Sequence, residues 1–108
     1  MKVELLVIPD CPNGAAAAVL LREVLDRVGL AGAGFGTVVV DNPVLAEARG
    51  FAGSPSFHVD GVDVFPVAGG SAGMACRVYR TPSGALSGLP DPAALSAALA
   101  RAVGDQNR

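Results

Sequence analysis

Tryptophan is absent, and tyrosine, histidine and lysine occur once each. With four phenylalanines as the remaining rings, the chain offers no stacking platform for nucleic-acid bases. The seven arginines are scattered rather than striped. At a net charge of −2 this excludes nucleic acid and an anionic membrane surface as expected partners. Charged residues are scarce at 17% against 51% hydrophobic, which argues against intrinsic disorder. Long apolar runs are missing too. The longest, Ala15 to Leu21, is far short of the roughly 20 residues that span a bilayer. The apolar stretch after Met1-Lys2-Val3-Glu4 ends at Pro9-Asp10, too short for a signal-peptide core, so the expected location is cytoplasmic. A chain of 108 residues makes one domain, expected over 1–104, with 105–108 as a frayed tail.

Within that domain the hydrophobic period changes several times. Val3 to Ile8 is a continuous apolar run, as in a strand covered on both faces. From about Asn13 to Val28 the period is helical, with Ala17, Leu20, Leu21, Val24 and Val28 on one stripe. Gly29-Leu30 reads as a left-handed cap with its apolar partner. Thr37 to Val40 is a β-branched strand, and Asn42-Pro43 opens a short helix ending near Arg49-Gly50. Phe57 to Val59 and Val62 to Phe65 flank Asp60-Gly61, a strong two-residue hairpin turn. Alternation puts Phe57 and Val59 on one face and His58 on the other, where a solvent-facing position is expected. Pro66 to Gly73 is a glycine-rich loop, Met74 to Arg80 is open between helix and extended chain, and Thr81 to Leu89 is a further loop. Asp91-Pro92 opens a last helix with a stripe of Leu95, Ala98, Leu99, Ala102 and Val103, closed at Gly104. The order is β-α-β-α-β-β-α: an α/β fold with a mixed four-stranded sheet and helices on both faces.

Two residues carry the chemistry. Cys11 follows the first strand and precedes the first helix, where unpaired N–H groups and the helix dipole favour thiolate. A thiol of ordinary pKa is only ~3% ionised at pH 7. Asp10 beside it opposes ionisation. The alternative is a small cysteine filling space at the helix end. Cys76, the other thiol, stands before Arg77 and Arg80, which suit a thiolate or a bound anion; the alternative is a packed core cysteine. In an intracellular chain, two cysteines point to redox, catalysis or metal binding rather than to a structural staple. The single histidine completes no closed zinc site with them, and no cofactor is expected.

Cys11-Pro12-Asn13 after a strand, Ser54-Pro55 before a hairpin and Cys76-Arg77-Val78-Tyr79 late in the chain resemble a group of small bacterial thioredoxin-like proteins. The resemblance covers most of the chain and implies a thioredoxin-like fold. It further implies a cis-proline at Pro55 and a site in which Pro12, Asn13, Ser54, Pro55 and Arg77 contact a low-molecular-weight thiol or a protein disulfide. Gly14 stands where thioredoxins have their second cysteine, so local Cys-x-x-Cys exchange is excluded. A monothiol role for Cys11, or resolution by Cys76, remains. A more distant similarity is to the organomercurial lyases, whose paired thiols attack mercury; it implies Cys11 and Cys76 as soft-metal ligands, with Asp10 or Asp63 in place of the family's acid. The third reading is a non-catalytic binding module of the same fold.

Overall fold

The computed structural model describes residues 1–30, 32, 34–66 and 73–106. Their elements are β1 (Val3–Val7), α1 (Gly14–Arg27), β2 (Gly36–Val39), α2 (Pro43–Arg49), β3 (Ser56–Val59), β4 (Val62–Asp63), β5 (Tyr79–Arg80), β6 (Leu86–Ser87) and α3 (Pro92–Gln106). Four strands form one mixed sheet in the order β2-β1-β3-β4. β1 runs parallel to β2 and antiparallel to β3, and β4 returns antiparallel to β3. The expected mixed α/β architecture is therefore present.

Strand alternation divides the interior in two. Val3, Leu5 and Val7 of β1 and Phe57 and Val59 of β3 face α1 and α3, packing with Leu20, Leu21, Val24, Leu25, Leu95 and Leu99. Leu6 faces the other way, toward Val40, Ala46 of α2 and Phe51. The buried face of α1 follows the expected stripe, with Leu25 in place of the half-buried Val28. Each core leucine contributes about 1.5–3 kcal/mol by leaving water.

The caps follow the residues that predict them. Leu30 N–H donates to Leu25 O at 2.7 Å and Gly29 N–H to Asp26 O at 3.3 Å, a Schellman closure with Gly29 at φ 79°. Asn42 Oδ1 accepts from Leu45 N–H at 2.8 Å, and Gly50 ends α2 in the left-handed region. Asp60 and Gly61 both take positive φ in the hairpin turn.

Three departures from expectation go beyond a one-residue shift at an element's end. β4 stops at Asp63 instead of Phe65 because the Asp63 carboxylate accepts the Phe65 N–H at 2.8 Å and turns the chain. The stretch expected as a loop after Thr81 contains β6, which pairs with β5 in a separate two-stranded hairpin. α3 runs two residues past Gly104, which costs about 1 kcal/mol in a helix interior but does not end one. The expected glycine-rich loop falls mostly on residues 67–72, outside the described residues.

Candidate functional site

β1 delivers the chain to Cys11 through a tight turn. Asp10 takes φ 57°, the Cys11 N–H donates to Ile8 O at 3.3 Å, and the Gly14 N–H donates to Cys11 O at 3.1 Å. Cys11 is a free, half-buried thiol at the margin of the larger core cluster. Gly14 is the residue against it: a Cβ added there would stand 3.7 Å from Cys11 Cβ. Pro12 is exposed. Asn13 is the N-cap of α1 without a side-chain cap bond, because its amide is packed against Gly88 after β6.

Ser54 ties this turn to the second thiol. It is fully buried, and the Ser54–Pro55 bond is cis, as the resemblance implied. Its Oγ accepts the Ile8 N–H at 3.0 Å, three residues before Cys11. Its backbone pairs in parallel with Cys76: the Ser54 N–H donates to Ala75 O at 2.9 Å, and its carbonyl accepts from Arg77 N–H at 2.8 Å. The segments bearing the two cysteines thus converge on one buried serine at the end of the sheet. Cys76 itself is free and exposed. The Met74–Arg80 stretch, expected as either a short helix or extended chain, forms no helix: Met74 and Ala75 bend, Cys76 bridges to Ser54, and Tyr79–Arg80 is β5.

Arg77 turns inward, although its sequence position suggested a group facing a bound anion. It is buried, with its guanidinium 2.6 Å from Asp63 Oδ2 and 3.1 Å from Ser56 Oγ. It donates further to Phe65 O and lies over the Tyr79 ring, 4.8 Å from the centroid. Tyr79 in turn donates its hydroxyl to Pro55 O and packs edge-on against Phe65. Burial pushes the Tyr79 phenol well above its ordinary value. Gly53 makes room for this arrangement. At φ 124°, a Cβ there would lie 2.9 Å from Arg77 Cβ.

His58 requires a correction. It faces away from Phe57 and Val59 as alternation demands, but that face is covered: the residue is 1% exposed. Among the described residues neither ring nitrogen has a hydrogen-bond partner. Its cross-strand neighbours are Glu4 on β1 and Asp63 on β4. Desolvation pulls the imidazole below its ordinary pKa of 6.5, while Asp63 and then Glu4 act the other way. Glu4 is itself buried and pairs with Arg49 of α2 at 3.2 Å and with Lys2 at 3.7 Å. Asp60-Gly61 was the available signal for this row, since a two-residue turn pairs position 58 with 63 on one face. Hydropathy alone did not show that the face is buried.

A cleft of about 460 Å³ between α1 and β2 is lined by Arg22, Leu25, Asp26, Gly34, Phe35 and Thr37, and includes neither cysteine. Among the described residues no group of three or more His, Cys, Asp or Glu side chains is placed to hold a metal ion. No helix among them is long and apolar enough to cross a membrane.

No family model matches this chain, and neither a curated protein nor a solved structure matches it.

Proposed function

We propose that this chain is a cytoplasmic protein of thioredoxin-like fold that exchanges thiols and disulfides through Cys11 and Cys76. The observation that carries the reading is the convergence of both cysteine segments on Ser54. The strand order β2-β1-β3-β4 with a parallel β1–β2 pair supports the fold assignment.

The chemistry needs no group beyond the thiols and a disulfide substrate. The Cys11 thiolate attacks one sulfur of a disulfide, forms a mixed disulfide and releases the other half as a thiolate. The Cys76 thiolate then attacks Cys11 Sγ, forms an intramolecular disulfide and releases the second half. The substrate gains two electrons and the protein dithiol loses two. An external thiol reverses the protein step by the same exchange. Exposure of Cys76 suits it to meet that thiol.

The test is to treat reduced protein at low concentration with oxidised glutathione, quench with acid and map the products by peptide mass spectrometry. A Cys11–Cys76 disulfide is the expected end product, with a Cys11–glutathione adduct accumulating in Cys76→Ser. Glutathione on both cysteines with no intramolecular disulfide refutes the paired mechanism. Release of hydrocarbon from an organomercurial by the dithiol form would replace this reading with carbon–mercury cleavage.

A further inference from the structure

The row Glu4–His58–Asp63 crosses three strands on the covered face of the sheet, and its end at Asp63 holds Arg77, the residue after Cys76. We propose that protonation of His58 draws Asp63 away from Arg77 and releases the Ala75–Arg77 strap from Ser54, so that acid frees the backbone on either side of the already exposed Cys76. The link from strap to thiol chemistry rests on the function proposed above; the strap movement itself does not.

The first support is the state of His58. A buried imidazole whose two nitrogens find no partner among the described residues forfeits hydrogen bonds that it would make in water. On protonation both nitrogens become donors, and the flanking acceptors are the two carboxylates. Desolvation opposes the added charge, so the switch lies on the acid side of ordinary histidine.

Ladder phase decides which carboxylate responds. The Val64 N–H donates to Phe57 O, which makes His58–Asp63 a pair without mutual backbone bonds, the type with Cα atoms about 4.5 Å apart and side chains close. The Asp60 N–H donates to Lys2 O, which makes Glu4–His58 the bonded type at about 5.5 Å. Asp63 is therefore the nearer acid. Of the cations facing the row, Arg49 on α2 and Lys2 serve Glu4, and Arg77 serves Asp63.

Anchorage decides what moves. His58 lies on an internal strand bonded on both sides. Asp63 is on the hairpin strand β4, and its Oδ1 is retained by Phe65 N–H. Arg77 belongs to a segment joined to Ser54 by two backbone bonds and to the sheet by its own side chain, while Tyr79, two residues on, is held in the core and at Pro55 O. An imidazolium added beside Asp63 repels the Arg77 guanidinium and competes for its carboxylate. With Tyr79 as the fixed end, the lightly held Ala75–Arg77 part yields.

The sole histidine gives one imidazole resonance, so the test needs no assignment of overlapping signals. The His58 ring shift is followed by NMR from pH 7.5 to 5, together with amide exchange of Ser54, Arg77 and the β1 residues, each corrected for intrinsic rate. The Ser54 and Arg77 amides are expected to lose protection at least tenfold with the midpoint of the His58 titration, while β1 stays protected. Strap protection unchanged across that titration overturns the proposal, as does loss of β1 protection in step with the strap. His58→Gln should abolish the acid opening, and Asp63→Asn should open the strap already at pH 7.5. If either variant fails to fold, the coincidence of midpoints in the native protein decides. An opened strap with Cys76 inert toward disulfides upholds the switch and counts against the thiol function.

Discussion

Replacing Asp63 with asparagine tests the buried ion pair that secures the strap. The carboxylate and guanidinium are both largely withdrawn from water, at 11% and 6% exposure. Asparagine preserves the side-chain oxygen that turns the chain at Phe65 and removes only the charge. Breaking one partner of a buried pair costs about 3–5 kcal/mol, because the remaining charge is left uncompensated. Arg77 retains Ser56 Oγ and Phe65 O as acceptors, so the lower end, about 3 kcal/mol, applies here. With a urea slope of about 1.5 kcal/mol per molar, the unfolding midpoint falls by ~2 M. Equilibrium unfolding followed by far-UV circular dichroism reads the shift. Adding Arg77→Met removes the stranded charge while keeping most of the side-chain volume, so Asp63→Asn/Arg77→Met should be more stable than Asp63→Asn alone. A single variant within about 0.5 kcal/mol of the native protein, a difference ordinary for surface changes, would refute the reasoning. So would a double variant no better than the single one.

Three further outcomes follow from named contacts. His58 has a folded pKa below its unfolded 6.5, so the unfolded chain binds more protons in the window below 6.5. Stability contributed by neutral His58 is complete above that pH and is lost as pH falls, at no more than about 1.4 kcal/mol per pH unit. Urea midpoints at pH 7 and 5.5 should differ more in the native protein than in His58→Gln, and equal differences would count against a buried neutral imidazole. Gly53→Ala meets both a positive φ and Arg77 Cβ, so thermal unfolding should show a loss above ~1 kcal/mol, whereas Gly61→Ala at the exposed turn has only the backbone term. Tyr79→Phe leaves Pro55 O without its donor and should cost about 1–3 kcal/mol by the same unfolding measurement; a neutral result would place that carbonyl in contact with water.

Local signals predicted the local structure. Asn42-Pro43, Gly29-Leu30 and Asp60-Gly61 each satisfy backbone groups within a few residues, so their roles were readable without the rest of the chain. Cys11 at the strand-to-helix turn was legible for the same reason. His58 was misread because alternation assigns a face but not what covers it. Arg77 was expected to meet a ligand because its partners Ser56 and Asp63 lie 21 and 14 residues away, and no periodicity reports such a contact. β6 was missed because two-residue strands have no period to detect.

The polar row also governs how the strands find their alignment. A slip of one residue between β1 and β3 would turn Phe57 and Val59 out of the larger core, and burial alone forbids it. A slip of two preserves the alternation, so apolar packing discriminates against it weakly. Charge does the discriminating instead. Native pairing sets Glu4 opposite His58. Moving β3 two places one way sets Glu4 opposite Asp60, two like charges face to face; the other way sets His58 opposite Lys2 and leaves Glu4 facing Ser56. The buried ionisable residues thus act as an alignment key, distinguishing the native register from the neighbours that hydrophobicity would accept.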